Sequence, residues 1–329
     1  MKKIVAYAAR PDEMNAFKKF QNELDLEITY VNQILDVESA KQSEGFEAVT
    51  ILGSNTADRE VLKALHDHGV KYLALRSSGY NNVDMAAAKE YGIRFSNAVY
   101  APNSVADYTT MLILMSIRKM KQIMIRNTAQ DYTVAGNQGK VIKDLKIGIV
   151  GTGRIGATVA RNLSGFGCEI LGYDVYENQD LLDILSYAPL EEVFETCDVI
   201  TLHAPLLDTN YHMIDDAAIS KMKDGVVIVN CSRGELIDTN ALISHIESGK
   251  VGAAALDVIE GELSIFHQDH RQNILSNHQF SILQQFPNVI VTPHTAFYTD
   301  QAVNGMVEVA LRSLISFMDE GKSDWEIKL

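Results

Sequence analysis

Positive charge is scarce in this chain: 29 lysines and arginines stand against 43 aspartates and glutamates over 329 residues, a formal net charge of −14. A surface of that sign repels phosphate backbones and anionic headgroups, which excludes nucleic acid and membrane as partners. Cysteine is scarcer still. Cys168, Cys197 and Cys231 are the only three, scattered and without CxxC spacing, which excludes a disulfide framework and a zinc knuckle and predicts a reduced, cytoplasmic setting. Long apolar runs are missing too: nothing approaches the roughly 18 residues of a membrane span, and Met111 to Met115 reads as the apolar part of a helix. The opening Met1-Lys2-Lys3 with Ile4 to Ala9 imitates a signal peptide, but Arg10-Pro11 cuts the run short and it reads as a buried strand. Repeats and low-complexity segments are absent, so no solenoid or linker-rich scaffold is indicated.

What is present is a hydrophobic fraction of 47% with 22% charged residues, the composition of a water-soluble globular protein that is long enough for two cores. Over the first hundred residues, strand-like runs (Ile4 to Ala8, Ala48 to Leu52, Tyr72 to Leu75) alternate with amphipathic segments (Glu13 to Leu24, Asp58 to His68, Met85 to Tyr91). That alternation predicts a small parallel α/β domain. Pro102-Asn103-Ser104 reads as a helix start capped by Asn103 or Ser104, with the helix running from about Val105 to Met120. From Lys146 to His294 the alternation resumes, with strand candidates Ile147 to Val150, Glu169 to Tyr173, Val199 to His203, Val226 to Asn230, Ala253 to Asp257 and Val289 to Thr292. These fit a doubly wound Rossmann sheet. The helical tail Ala302 to Phe317 follows a complete sheet, so it is expected to return to the N-terminal domain. The predicted architecture is therefore α/β: residues 1–101 and 297–329 form a smaller, discontinuous substrate domain, into which a dinucleotide-binding domain, 102–296, is inserted.

The most specific motif is Gly151-Thr152-Gly153-Arg154-Ile155-Gly156, directly after an apolar strand. Gly151 permits the tight turn, Gly153 lets backbone N–H groups approach a pyrophosphate, and Gly156 lets the next helix pack on the strand, its N-terminus facing the phosphates. Roughly 20 residues on, Asp174 ends a second strand, where a carboxylate accepts from both adenosine ribose hydroxyls and repels a 2′-phosphate. The expected cofactor is NAD rather than NADP.

Reducing a ketone with NADH requires a cation that holds and polarises the substrate and an acid that protonates its oxygen. An acidic surface makes a local cation all the more necessary for an anionic substrate. Arg233 lies directly beyond a strand and is followed by a glycine that opens the turn, placing its bidentate fork in the crevice at the strand ends. His294 also ends a strand and is suited to act as acid in one direction and base in the other. A carboxylate on the far nitrogen of His294 would orient the ring, and Glu260 and Glu262 are both placed to supply it. His203, at another strand end, reads as bordering the cofactor. His267 and His270 have HxxH spacing but fall in a polar stretch that reads as a solvent-exposed loop, so no metal is expected.

Taken together, GTGRIG with Asp174, His203-Ala204-Pro205-Leu206, the run from Ser232 to Asp238, Ala254-Ala255-Leu256-Asp257-Val258 and Pro293-His294-Thr295-Ala296 resemble the D-isomer-specific 2-hydroxyacid dehydrogenase family over essentially the whole chain. The resemblance implies a catalytic arginine at Arg233, a histidine at His294 and the acid at Glu262. It further implies that Arg154, Ile155, His203, Pro205, Asn210, Cys231, Ser232 and Asp257 border the cofactor. The loop Arg76 to Asp84 is implied to bind the substrate carboxylate through the N–H groups of Ser78 and Gly79, with Tyr100 and Phe297 lining the pocket. Within the family the chain is most similar to bacterial D-lactate dehydrogenases, including the glycopeptide-resistance type. Members of that type tend to lack an acid after the second strand and to use NADPH, whereas Asp174 argues for NADH. The resemblance implies a dimer through the cofactor domain and reversible reduction of pyruvate to D-lactate. Leu52, standing where some pyruvate-specific relatives carry an aromatic, leaves room for a D-2-hydroxyisocaproate or phenyllactate dehydrogenase instead. A branch of the family acts as NAD-sensing corepressors with extra partner-binding segments, and no such segment is visible in this chain.

Overall fold

Two all-parallel sheets carry the architecture of the computed structural model, which describes residues 1–329. The chain divides into two units, Met1–Ala101 with Tyr298–Leu329, and Pro102–Phe297. In the first, β1 (Lys2–Tyr7), β2 (Leu26–Val31), β3 (Ala48–Ile51), β4 (Tyr72–Leu75) and β5 (Arg94–Ser96) lie in the order β2-β1-β3-β4-β5, the flavodoxin-like order. All four residues of β3 are buried, as expected for a parallel strand covered on both faces. Helices α1 (Met14–Glu23), α2 (Arg59–Asp67) and α3 (Met85–Glu90) connect the strands. The Asp58 and Asp84 carboxylates start α2 and α3 by accepting from Val61 N and Ala87 N, which satisfies orphan donors of the first turn. The C-terminal helix, Asp300–Glu320, packs on β3, β4 and α1. Its Val307, Ala310, Leu311 and Leu314 share one apolar cluster with Phe17 and Phe20.

In the second unit, β6 (Lys146–Val150), β7 (Glu169–Tyr173), β8 (Ser186–Tyr187), β9 (Val199–Leu202), β10 (Val226–Asn230), β11 (Val251–Leu256) and β12 (Val289–Val291) lie in the order β12-β11-β10-β9-β6-β7-β8. The direction of winding reverses between β6 and β9, and an open α/β sheet binds ligand beyond the strand ends at such a switch point. The helices are α4 (Asn103–Ile117), α5 (Met120–Thr128), α6 (Arg154–Ser164), α7 (Leu190–Thr196), α8 (Asp216–Lys221), α9 (Thr239–Glu247) and α10 (His278–Gln285). No helix is long and apolar enough to cross a membrane.

One expected element is corrected. The continuous helix to Met120 stops at Ile117, because Lys119 turns left-handed (φ 53°) and α5 begins afresh. The segment around Gly139 closes the end: Lys140 N–H donates to Ile117 O at 2.9 Å, and a Cβ on Gly139 would stand 2.7 Å from that same oxygen. Nor do Asn103 and Ser104 cap the start. The capping position is Pro102, with no side-chain hydrogen bond to the first turn.

Candidate active site

The glycine turn after β6 has the geometry of a phosphate cradle. Gly151 takes φ +92°, and a Cβ there would stand 2.6 Å from Ala204 N. A Cβ on Gly156 would lie 1.9 Å from Gly151 O, so helix and turn are in backbone contact. A Cβ on Gly153, in contrast, would meet nothing within 4 Å. The turn is thus closed on its protein side and open where α6 begins, with Gly153 at the capping position making no side-chain cap. An eleven-residue helix with that start suits a pyrophosphate. Ile155 packs against the apolar cluster beneath the turn, while Arg154 is exposed. Asp174 stands beside the turn, its carboxylate accepting from Thr152 N at 2.6 Å and Tyr176 N at 3.0 Å. His203 also abuts the turn, and burial pushes its imidazole down to about 3, so it is neutral at ordinary pH.

Arg233 is set by the turn that leaves β10. The buried amide of Asn230 brackets this turn, accepting from Ser232 N at 3.0 Å and donating to Arg233 O at 2.8 Å. Ser232 Oγ donates to Ala204 O at 2.6 Å, tying the turn to the end of β9, and Arg233 Nη1 donates to Ser232 O at 2.7 Å. Gly234, the glycine that follows Arg233 in the turn, is not left-handed; its role is close approach. A Cβ there would fall 2.1 Å from Ile259 C and 2.5 Å from Glu260 N. The arginine turn therefore lies backbone to backbone on the segment that carries the acids.

On that segment the structure separates the two glutamates. Glu262 Oε1 accepts from His294 Nδ1 at 2.6 Å, while Oε2 accepts from Ile259 N–H at 3.0 Å. Glu260 is engaged elsewhere, with His212 Nε2 at 2.6 Å and Thr239 N at 3.0 Å. A carboxylate only accepts, so Nδ1 of His294 carries hydrogen and Nε2 is the nitrogen left for chemistry. The loop that presents His294 is organised by Asp257, buried to 1% exposure. Its carboxylate accepts from Thr292 Oγ1, Thr295 N and Ala296 N at 2.6, 2.9 and 2.9 Å, and its carbonyl takes His294 N–H at 2.8 Å. Asp257 thus holds the histidine loop. Asn210 is likewise engaged within its own loop, between Leu207 N and Pro205 O.

Cys231 and Ser232 border the β10 turn, and burial pushes the Cys231 thiol up to about 12, so it stays protonated. Phe297 stands by the histidine, ring centroids 6.2 Å apart. His267 lies exposed in its loop, as expected, and places Nε2 3.0 Å from His294 O. In the first unit, Arg76 is buried against Glu13 at 2.8 Å and donates to Tyr7 O at 2.9 Å, fixing the start of the loop that carries Ser78 and Gly79. Ser77 Oγ donates to Gly79 O at 2.8 Å and Asn97 Nδ2 to Ser78 O, while no backbone carbonyl takes the Ser78 or Gly79 N–H. Leu52, at the end of β3, and Tyr100, beyond β5, belong to the same unit.

Residues 110–296 match the family described as D-isomer specific 2-hydroxyacid dehydrogenase, NAD binding domain. The chain belongs to this family. It is 43% identical to an aromatic 2-oxoacid reductase of Clostridium sporogenes over 97% of both chains, and 38% identical to a D-lactate dehydrogenase of Lactiplantibacillus plantarum over 99% of both. The solved D-2-hydroxyisocaproate dehydrogenase superposes with a TM-score of 0.89 at 33% identity, covering 99% of each chain. The protein is thus an NAD-dependent D-2-hydroxyacid dehydrogenase acting on small 2-oxo and 2-hydroxy acids. The open start of α6 at Gly153 and the carboxylate of Asp174 beside the turn could hold a dinucleotide. Sequence reasoning had no role for His212, Asn230 or the left-handed His267. Asn230 alone carried a signal, as a buried polar residue closing the apolar run Val226 to Val229.

Proposed function

We propose that Arg233 binds the substrate's carboxylate and carbonyl oxygen, and that His294, held by Glu262, is the proton donor for reduction of a 2-oxo acid to the D-2-hydroxy acid. The observation that carries this reading is the 2.6 Å bond between His294 Nδ1 and Glu262 Oε1, on a segment packed against the Arg233 turn. Bound at the glycine turn, a reduced nicotinamide cofactor would supply hydride to the carbonyl carbon. The proton goes from His294 Nε2 to the carbonyl oxygen, Nδ1 stays hydrogen-bonded to Glu262, and the ring is left neutral. In the reverse direction the neutral ring takes the hydroxyl proton. Gly151, Gly153, Arg154, Ile155 and Gly156 would hold the pyrophosphate side, Asp174 the adenosine ribose, and His203, Pro205, Cys231 and Ser232 would line the cofactor. Replacing His294 by glutamine should cut turnover about 100-fold or more; undiminished turnover would overturn the assignment.

In the first unit, the Ser78 and Gly79 N–H groups are read as a carboxylate site, and Leu52 and Tyr100 as walls for a substrate side chain; in the second unit, Phe297 is read as a substrate-side residue beside His294. Pyruvate, giving D-lactate, is the substrate the family resemblance points to, and the 38% identical D-lactate dehydrogenase supports it. A second reading, preference for branched or aromatic 2-oxo acids, is supported by Leu52 and by the 43% identical aromatic 2-oxoacid reductase. Initial rates with pyruvate, 2-oxobutyrate, 2-oxoisocaproate and phenylpyruvate, each with NADH and NADPH, separate the two. Highest kcat/KM for phenylpyruvate would replace lactate as the product assigned, and a preference for NADPH would contradict the role given to Asp174.

Self-association through the α4–α5 face is supported by α5 burying none of its residues while Met111, Met124 and Ile125 stand exposed. Apolar surface of that kind marks interaction sites. Light scattering on the parent and on Met124→Glu tests it: a dimer that the substitution dissociates is expected, and a monomeric parent refutes it. Three free thiols and the acidic composition fit a cytoplasmic setting.

A further inference from the structure

We infer that His267 is a positioning residue for His294: its ring donates to the His294 carbonyl and so holds the proton donor in its left-handed backbone conformation. This rests on His294 being the acid. His267 Nε2 lies 3.0 Å from His294 O, and since a carbonyl only accepts, Nε2 carries the hydrogen whether the ring is neutral or charged. His294 has φ +50° and His267 φ +62°, a region unfavourable for any residue with a Cβ. Such strain persists only where the surroundings over-determine it.

Here the surroundings do so from both sides. Before His267, the N–H groups of Ile265 and Phe266 both donate to Glu262 O at 2.8 Å, and both side chains are buried, Phe266 edge-on to Phe280 at 5.7 Å. The segment from Glu262 to His267, which opens with a 3-10 turn, is therefore short and held at both Ile265 and Phe266, and it grips His294 twice, at Nδ1 through Glu262 and at the carbonyl through His267. The three rings of His267, His294 and Phe297 complete a triangle with centroids 6.1, 6.3 and 6.2 Å apart. Both His267 and the Glu262 partner thus belong to one clamp, in which the side chain sets the tautomer and the loop histidine sets the backbone.

Two substitutions isolate the donor. His267→Phe keeps a ring against Phe297 and loses the N–H, whereas His267→Gln replaces the ring with an amide whose N–H reaches about as far as Nε2. In steady-state reduction with NADH and saturating 2-oxo acid, His267→Phe should lose about 5- to 10-fold in kcat, with KM for NADH within about twofold, and His267→Gln should recover to within about twofold of the parent. Parental kcat in His267→Phe, or a loss in His267→Gln as large as in His267→Phe, overturns the inference. His294→Gln measured alongside keeps the two readings apart. If it is inactive while the His267 series is flat, only the clamp fails; if it turns over normally, the acid assignment fails and the clamp with it.

Discussion

Replacing Glu262 by glutamine tests the histidine–carboxylate pair in a way that follows directly from its geometry, because an amide cannot serve both donors that the carboxylate accepts from. One oxygen faces His294 Nδ1 at 2.6 Å and the other faces Ile259 N–H at 3.0 Å. If the amide oxygen stays on His294, its NH2 meets the Ile259 N–H donor to donor. If the amide flips, NH2 faces Nδ1 and favours the tautomer with its hydrogen on Nε2. The side chains of Glu262 and His294 are 14% and 32% exposed, so solvent screens the pair only in part. A charge-assisted hydrogen bond contributes about 1.5–3 kcal/mol, and a neutral one recovers about half of it. The barrier for proton transfer should therefore rise by about 1–3 kcal/mol, a loss of about 5- to 150-fold in kcat for reduction. An orphaned Ile259 N–H adds about 1 kcal/mol of lost stability, visible as a Tm lowered by a few degrees. Initial rates followed by NADH absorbance read the loss in kcat directly. Rates within twofold of the parent would refute the pair as the proton-donating unit.

Arg233→Lys retains charge but not the planar fork, and should lower kcat/KM for the 2-oxo acid about 100-fold with effects on both KM and kcat; unchanged kinetics would remove Arg233 from the site. Gly156→Ala forces a Cβ to within 1.9 Å of Gly151 O, so α6 must move away from the turn. A loss of about 1–3 kcal/mol in stability and of the thermal shift given by NADH is expected, and a full shift in the variant would contradict the cradle. His203, held neutral in the fold with its pKa lowered to about 3, gains a proton only on unfolding once the pH drops below its ordinary 6.5. Stability should therefore decline as pH falls through that window, by about 1–2 kcal/mol at pH 5. In His203→Gln that increment should disappear from denaturant curves, and the same pH dependence in both proteins would show the burial to be inconsequential.

Periodicity located the long elements well because burial on both faces leaves a continuous apolar run, as in Val226 to Val229 or Ala48 to Ile51. It passed over β2, Leu26–Val31, which alternates buried and partly exposed positions at the sheet edge, and over β5 and β8, which have only three and two residues. Strands that short have no period to read, and pairing to a neighbour alone defines them. The helix ending at Ile117 was misread for a related reason. Arg118 and Lys119 are good helix formers, and what stops them is Lys140 taking the Ile117 carbonyl from twenty-odd residues downstream.

The same division runs through the site. Arg233 and His294 were legible because strand ends in an open α/β sheet are where ligands bind, and Gly151 and Gly156 because their missing side chains are a composition fact. Glu260 and Glu262 were indistinguishable by that logic, since both lie on the same loop two residues apart. The choice depends on what stands on each side of Gly261, itself left-handed at φ 71°: His212 takes Glu260, and His294 takes Glu262. Seven non-glycine residues in the chain have positive φ, and three of them are His212, His267 and His294. Each of the three bonds to one of those two glutamates or to another of the three. Histidine is enriched among the non-glycine residues of the left-handed region, but that preference does not mark particular positions, and each such residue is unfavourable by about 1–2 kcal/mol. Their concentration around one loop means that the hydrogen bonds there offset backbone strain as well as orient rings. A substitution that removes one of these bonds should therefore disturb the backbone of its partner before it disturbs the fold.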